Sequence, residues 1–243
     1  MFTRQGGKSK LKKAIIQIMP EHTIYVEPFV GAGHVFFEKE PAEVNVINDL
    51  DKDIYHIFID TQKVGDKMIN YDFTNDRATF NKLKTQTKFN KIEDRLYRNL
   101  YLSRNSFGGN RKNFGVEKKK SVINTGQNFK TDKWKNKLKG VKIFNKDFKD
   151  IIKKYDSKDT LFYLDPPYST SVNDYAVGGV DPQEIYNALQ GLKGKFILSY
   201  DYTPEIKKMF KKYNISTIKT KYIFAADDNN RLVKEYLITN FIY

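Results

Sequence analysis

Short apolar runs alternate with stretches of helical spacing at both ends of the chain. Runs rich in β-branched and aromatic residues predict strands at 23–27, 44–47, 141–144, 161–164 and 195–200. Apolar residues at helical spacing predict helices at 10–19, 34–39, 52–59, 149–155, 182–192 and 204–213. Strands that alternate with helices are typical of an α/β fold with a mostly parallel sheet. Two last β-prone runs, 215–224 and 232–242, predict a C-terminal β-hairpin.

The middle of the chain breaks this alternation. From about residue 61 the sequence is polar, basic and studded with aromatic residues, and only 95–102 has helical spacing. Up to Trp134 no other hydrophobic period is present, so we expect an insertion and not a core element. The predicted organisation is one α/β domain formed by residues 1–60 and 143–243, with an inserted subdomain at 61–142.

The net charge of +14 lies entirely in this middle segment. Residues 82–142 contain 18 Lys and Arg against 4 acidic residues, and the rest of the chain contains 25 of each sign. A single short cluster such as Lys118-Lys119-Lys120 is usually a solvated face. An imbalance confined to one segment instead favours a surface that binds a polyanion such as nucleic acid.

Rare and absent residue types exclude several classes of protein. The chain has no cysteine, and its three histidines, His22, His34 and His56, are widely spaced, so neither a disulfide nor a metal site is predicted. No apolar run approaches the roughly 18 to 20 residues that span a bilayer. The basic first residues lead into an amphipathic stretch and not into a signal-peptide core. We therefore expect a soluble, intracellular protein with no membrane segment and no metal.

The predicted strand 161–164 ends in Asp165-Pro166-Pro167-Tyr168. Two prolines stop both a sheet ladder and a helix, so the Asp165 carboxylate lies at a strand end, where α/β sheets open their ligand crevices. Pro166 has no backbone N–H, which leaves mostly acceptors beside the carboxylate. Such a pocket suits an amino group. A plain strand followed by a proline-rich turn is the alternative.

A glycine turn follows the first predicted strand. Gly31 and Gly33 separate that strand from a predicted helix, as in nucleotide-binding α/β folds, and they permit close approach of backbone to ligand. A plain tight turn is equally consistent with them. Asp49 follows the second strand, where an acidic residue binds ribose hydroxyls in such folds; it could equally cap the helix at 52–59. Asp51 and Asp53 are interpreted as first-turn charges of that helix.

Two further segments carry candidate ligand contacts. Gly6-Gly7-Lys8-Ser9 is not a P-loop, because Phe2 stands where the first glycine is needed, but Lys8 is available for an anion or a carboxylate. The glycine-containing segment 104–112 combines arginines with Asn and Phe, which suit base edges and stacked bases. The predicted DNA contacts are Arg104, Asn105, Ser106, Phe107, Arg111, Lys112, Lys118, Lys119 and Lys120.

In their order and spacing these motifs resemble the D12 class of N6-adenine DNA methyltransferases, the group that includes the Dam enzymes. The resemblance covers essentially the whole chain. The motifs that carry it are Gly6-Gly7-Lys8, the run 26–33, Asp49, the run 104–109, Asp147-Phe148 and Asp165-Pro166-Pro167-Tyr168.

The resemblance implies a seven-stranded Rossmann-like sheet, mostly parallel with a C-terminal β-hairpin, which binds S-adenosyl-L-methionine. In the family pattern Asp49 binds the ribose hydroxyls, and Asp147 with Phe148 holds the adenine. Residues 29–33 line the methionine and adenosine parts of the cofactor. The implied cofactor-binding residues are Arg4, Gly6, Gly7, Lys8, Glu27, Phe29, Val30, Gly31, Ala32, Gly33, Asp49, Asp147, Phe148 and Asp165. Arg4 departs from the pattern, because the family usually has an aromatic residue there. Residues 61–142 would be the target-recognition domain.

The resemblance also implies a reaction and a partner. The catalytic residues would be Asp165, Pro166, Pro167 and Tyr168. The Asp165 carboxylate and the Pro166 carbonyl would accept the two N6 hydrogens of an adenine flipped out of duplex DNA, and Tyr168 would stack on the base. No metal is required. Methylation of cytosine N4, methylation of RNA and an inactive nucleic-acid-binding module are the alternatives.

Overall fold

The computed structural model describes residues 2, 8, 11–116, 130–167, 178–222 and 231–243. Its strands are β1 (Ile24–Glu27), β2 (Val44–Asn48), β3 (Lys142–Phe144), β4 (Thr160–Leu164), β5 (Lys195–Asp201), β6 (Asn214–Tyr222) and β7 (Arg231–Thr239). Its α-helices are α1 (Lys12–Gln17), α2 (His34–Glu38), α3 (Lys52–Val64), α4 (Arg77–Thr85), α5 (Ile92–Arg104), α6 (Thr131–Lys137), α7 (Phe148–Tyr155), α8 (Pro182–Leu189) and α9 (Pro204–Met209).

The seven strands form one sheet in the order β3-β2-β1-β4-β5-β7-β6. The first five of these strands are parallel, whereas β7 runs antiparallel to both β5 and β6. This confirms the predicted Rossmann-like sheet, mostly parallel with an antiparallel C-terminal pair. The strand order reverses between β1 and β4, and ligands of open α/β sheets bind beside the carboxyl ends at such a point.

Both faces of the sheet are covered because its central strands are apolar on both sides. In β4 every residue is buried. Leu161 and Tyr163 pack into one apolar cluster, and Phe162 and Leu164 pack into the other. Full burial of such side chains contributes about 1.5 to 3 kcal/mol each. Helices α1, α2, α3 and α5 cover the first face, and α7, α8 and α9 cover the second.

The segment between β2 and β3 shares the core of the first face. Its buried side chains, such as Phe73, Phe80, Leu96 and Leu100, belong to the same apolar cluster as Leu161 of β4. The prediction that this segment has no core element is therefore wrong in the described part. Helices α4 and α6 were not predicted, because α4 buries only two residues and α6 only one.

Among the described residues no helix is long and apolar enough to cross a membrane.

Candidate functional site

A cavity opens at the carboxyl edge of the sheet, beside the ends of β1, β2 and β4. It is lined by all the described residues with a predicted cofactor contact, which are Lys8, Glu27, Phe29, Val30, Gly31, Ala32, Gly33, Asp49, Asp147, Phe148 and Asp165. Pro166 and Pro167 line the same cavity. The remaining predicted residues, Arg4, Gly6, Gly7 and Tyr168, lie outside the described residues. The fold thus brings separate sequence motifs to one place, while their binding roles stay predictions.

The glycine turn after β1 forms one wall of the cavity. Gly31 and Gly33 have φ angles of 50° and 65°, in the left-handed region that favours glycine. A Cβ atom on Gly33 would lie 3.1 Å from Cζ of Phe58, so the turn also lacks room for a side chain. The Val30 amide donates to the carbonyl of Asn48 at 2.8 Å, which fixes the turn against the end of β2.

Asp49 connects this turn to the start of α3. Its Oδ2 accepts from the Gly31 amide and its Oδ1 from the Asp51 amide, each at 2.9 Å. The N-cap of α3 is Asp51, whose side chain accepts from the amides of Asp53 and Ile54. The alternative that Asp49 caps this helix is therefore wrong, as is the interpretation of Asp51 as a first-turn charge. Asp53 does lie in the first turn.

An aromatic pair forms the opposite wall. The rings of Phe29 and Phe148 lie with their centroids 5.0 Å apart and their planes at 37°. Asp147 precedes Phe148 as the N-cap of α7, where its Oδ1 accepts from the Lys149 amide at 2.8 Å. Its carboxylate is partly exposed to the cavity, with a side-chain exposure of 45%. A stacking surface and a carboxylate thus lie side by side.

Asp165 lies at the end of β4 as predicted, and a buried lysine contacts it. Lys8 Nζ is 2.7 Å from Oδ1 of Asp165 and 3.3 Å from Oε2 of Glu235 in β7. Burial alone lowers the pKa of Lys8, but the two carboxylates outweigh burial and hold that pKa well above its usual value. Of the two options that the sequence left for Lys8, the structure shows contact with carboxylates.

Glu235 was missed by the sequence analysis. It is a charged residue in the β-prone run 232–242, and it shares a strand face with the buried Leu237. An acid on the inward face of an apolar strand needs a buried partner, and that pattern was the available signal.

Two more ionisable groups surround this corner. Burial raises the pKa of Glu27 well above its usual value, and the charge of Asp165 adds to the shift; the hydrogen bond from Tyr25 Oη, at 2.9 Å, and the charge of Lys39 oppose it. Burial, followed by the charge of Asp165, likewise raises the pKa of Tyr163. Both shifts favour the neutral forms of these groups.

In the described part of the chain no group of three or more His, Asp or Glu side chains is arranged to hold a metal ion.

A model of the family described as D12 class N6 adenine-specific DNA methyltransferase matches residues 5–224. The chain belongs to this family. Type II methyltransferase M1.LlaDCHI of Lactococcus lactis subsp. cremoris is 26% identical, over 99% of this chain and 95% of its own length. Type II methyltransferase M.CviBI of Paramecium bursaria Chlorella virus NC1A is 24% identical, over 90% and 89%. Type II methyltransferase M.MjaIII of Methanocaldococcus jannaschii is 23% identical, over 97% and 96%.

The predicted DNA-contact loop follows α5. Asn105 is buried and its Oδ1 accepts from Nδ2 of Asn75 at 2.8 Å, while Ser106 Oγ accepts from the Arg111 amide at 2.8 Å. These two side chains hold the loop together. Phe107, in contrast, is 72% exposed, and Lys112 is exposed as well. The structure therefore separates the predicted loop contacts into a buried support and an exposed tip.

Arg111 belongs to the support. Its guanidinium contacts the Asp51 carboxylate and lies 3.5 Å from Oδ2 of Asp53, with only 13% of its side chain exposed. The sequence predicts that Arg111 contacts base edges. In the structure its side chain contacts acidic residues at the start of α3, and its contact with DNA stays a prediction. Arg104 is the last residue of α5 and is partly exposed. The lysines at 118–120 lie outside the described residues.

Two arginines of α5 also form ion pairs with acidic residues of α3. Arg95 makes two hydrogen bonds of 2.8 Å to the carboxylate of Asp60, and Arg98 Nη1 is 2.9 Å from Oδ2 of Asp53. Three positive charges of the basic segment are thus paired with acidic residues that precede it in the chain. A count of charges along the sequence does not detect such pairs.

Proposed function

We propose that this methyltransferase transfers a methyl group from S-adenosyl-L-methionine to N6 of an adenine flipped out of duplex DNA. The observation that carries the proposal is the position of Asp165. Its carboxylate lies at the end of β4, in the same cavity as the glycine turn and Asp49, and is followed by a residue without a backbone N–H. Family membership and the three Type II methyltransferase relatives support a DNA substrate.

The cavity residues fit the cofactor. Asp49 lines the cavity, and its carboxylate is the kind of charged acceptor that suits ribose hydroxyls. Phe29 and Phe148 offer ring faces to an adenine. The backbone of 29–33, with Glu27, would hold the remaining atoms. When bound, S-adenosyl-L-methionine supplies an electrophilic methyl group on a sulfonium sulfur.

Asp165 and Pro166 would prepare the amino group. The N6 lone pair of adenine is delocalised into the ring, which makes it a poor nucleophile. Acceptance of the two N6 hydrogens by the Asp165 carboxylate and the Pro166 carbonyl localises that lone pair on nitrogen. The same acceptors stabilise the positive charge that develops on nitrogen, and a preorganised carboxylate does so without solvent reorganisation. Alignment of the reacting atoms contributes much of the remaining acceleration.

The target base must leave the duplex to reach this cavity. In the proposal Tyr168 stacks on the flipped base, an interaction worth about 1 to 3 kcal/mol. In the proposal the segment 61–142 is the target-recognition insertion. Its exposed lysines, together with Lys118, Lys119 and Lys120, would bind DNA phosphates. Among the predicted DNA contacts, Phe107 and Lys112 are exposed and Arg104 is partly exposed.

The direct test is incubation with labelled S-adenosyl-L-methionine and DNA of varied sequence, followed by nucleoside analysis. We expect label in N6-methyladenine. Label in N4-methylcytosine, label in RNA only, or no label at all would each contradict the proposal.

Residue roles are tested by single-turnover methylation at saturating cofactor, which isolates the chemical step. Asp165→Ala should abolish transfer, with a much smaller change in cofactor affinity. Asp165→Asn should keep reduced but detectable transfer, because its amide oxygen accepts one hydrogen bond. Asp159→Ala, an exposed residue just before β4, is the matched control and should be fully active. Methyl transfer by Asp165→Ala at the wild-type rate would contradict the proposed mechanism.

A further inference from the structure

We infer that Glu235 is a positioning residue of the reaction, which acts on the Asp165 carboxylate through Lys8. This inference rests on the proposed function of Asp165. Neither the family motifs nor the predicted cofactor contacts include Glu235, and it comes from the C-terminal antiparallel strand.

The three groups form a buried chain of charges. Lys8 Nζ lies 2.7 Å from Oδ1 of Asp165 and 3.3 Å from Oε2 of Glu235. The Lys8 and Glu235 side chains are each 4% exposed, whereas that of Asp165, which faces the cavity, is 20% exposed. The two acids are therefore on either side of one ammonium group, and only one of them reaches the cavity.

The sheet explains why a lysine is needed between them. Strand β5 lies between β4 and β7, and Glu235 is in register with Asp201 of β5. Neighbouring strands are about 4.8 Å apart, so residues two strands apart are separated by about 10 Å. The long side chain of Lys8, from the N-terminal segment, therefore bridges Glu235 and Asp165.

Charge balance assigns a function to this arrangement. A lone Lys8–Asp165 pair would be neutral, and a carboxylate neutralised in this way is a weaker acceptor for an amino group that becomes positive. With Glu235 the three groups carry one net negative charge. The neighbouring Glu27 supplies less of that charge, because burial raises its pKa. Glu235 thus preserves a negative potential where positive charge develops.

Geometry points the same way. An ammonium group held by two carboxylates has less freedom to rotate than one held by a single carboxylate. Lys8 is thereby fixed against Oδ1, which fixes the plane of the Asp165 carboxylate toward the cavity. Removal of Glu235 should therefore slow the chemical step and leave cofactor binding almost unchanged, since Glu235 itself is buried on the far side of Lys8.

The test is a double-mutant cycle with Glu235→Gln and Lys8→Met. Single-turnover rates at saturating cofactor report the chemical step. Calorimetry with S-adenosyl-L-homocysteine reports cofactor affinity, and binding of this ligand also shows that the variant is folded. Glu205→Gln, an exposed residue of α9, is the matched control. We expect Glu235→Gln to slow transfer by about tenfold to a hundredfold, from the loss of one charge near the reacting nitrogen. Affinity for S-adenosyl-L-homocysteine should change by less than about threefold, within 0.7 kcal/mol or so.

The cycle distinguishes positioning through Lys8 from a separate role. When Lys8 is already Met, adding Glu235→Gln should slow transfer by less than about a further factor of two. The free-energy effects of two residues that act through one contact do not add. The Lys8→Met, Glu235→Gln double variant buries no unpaired lysine, so the cycle can be read even if Glu235→Gln alone folds poorly. Independent effects that multiply would overturn the inference, as would a wild-type rate in Glu235→Gln.

This failure differs from failure of the proposed function. A wild-type protein that methylates no adenine overturns the proposed function. A wild-type protein that methylates adenine, together with an equally active Glu235→Gln variant, overturns only the inference about Glu235.

Discussion

Arg111 is a stabilising residue of the loop that follows α5. Its guanidinium contacts the buried Asp51 carboxylate, which is also the N-cap of α3. We predict that Arg111→Met destabilises the protein, because the buried Asp51 carboxylate loses the guanidinium that contacts it. Loss of one partner of a buried pair costs about 3 to 5 kcal/mol. Asp51 keeps its bonds from the Asp53 and Ile54 amides, so the lower end of that range, about 3 kcal/mol, applies here.

Urea unfolding followed by circular dichroism measures this loss. For a chain of this size, about 3 kcal/mol corresponds to a fall in Tm of about 6 to 12 °C. The exposed neighbour Lys112 provides the matched control, and Lys112→Met should change stability by less than about 0.5 kcal/mol. In the Arg111→Met background, Asp51→Asn should recover part of the loss, since it removes the buried charge.

A different result would support a role of Arg111 in reading DNA bases. If Arg111→Met were as stable as Lys112→Met and relaxed the sequence preference of DNA binding by about 1 to 3 kcal/mol, the base-reading hypothesis would hold. The contact with Asp51 would then contribute nothing measurable. Stability and specificity therefore separate the two roles of one side chain.

Three further changes address the cavity and the loop. Asp49→Asn should weaken S-adenosyl-L-homocysteine binding by about 1.5 to 3 kcal/mol in calorimetry, because a charged acceptor is lost. In addition, the NH2 group of the new asparagine would face the N–H of Gly31 or Asp51. Unchanged affinity would mean that Asp49 only holds the turn. Since burial raises the native pKa of Glu27, its contribution to stability is full below the unfolded value of about 4.3 and is lost as pH rises through the native pKa. Glu27→Gln should therefore gain stability relative to wild type from pH 4 to pH 8 in urea unfolding, and a constant difference would contradict the shift. Phe107→Ser should weaken DNA binding by about 1 to 3 kcal/mol in fluorescence anisotropy at unchanged Tm, and equal affinity would exclude base stacking by this exposed ring.

The sheet was predictable because its signals are local. The strand ending at Leu164 is an uninterrupted apolar run stopped by Asp165 and two prolines, and the observed β4 begins only one residue earlier than predicted. The second strand, stopped by Asn48 and Asp49, likewise differs by one residue. The mostly parallel direction of the strands followed from their alternation with helices, and the number of seven strands followed from the family resemblance. Residues at these strand ends were consequently predicted in the cavity that they do line.

Polar helices and distant pairs were not predictable in the same way. Helix α4 presents only Phe80 and Leu83 to the core, so its apolar positions form no repeating pattern. The contact between Asp51 and Arg111 joins residues 60 positions apart, and that between Lys8 and Glu235 joins the two ends of the chain. No local pattern encodes which charged side chains meet. Periodicity detects what faces the core, whereas ion pairs depend on the finished fold.

The basic segment shows how this limit changes a functional argument. Its excess charge was assigned as a whole to a polyanion, yet three of the four arginines in 82–142, Arg95, Arg98 and Arg111, are bound to aspartates of α3 or of its N-cap. Its described lysines are mostly exposed, including those at 82, 84, 88, 91 and 112. The division follows from the chemistry of the two cations: guanidinium is weakly hydrated and suits buried pairs, whereas ammonium is strongly hydrated and stays in water. Phosphate binding, and with it the salt dependence of DNA affinity, should therefore depend on the lysines, while the paired arginines hold the segment to α3 and so to Asp49 in the cavity.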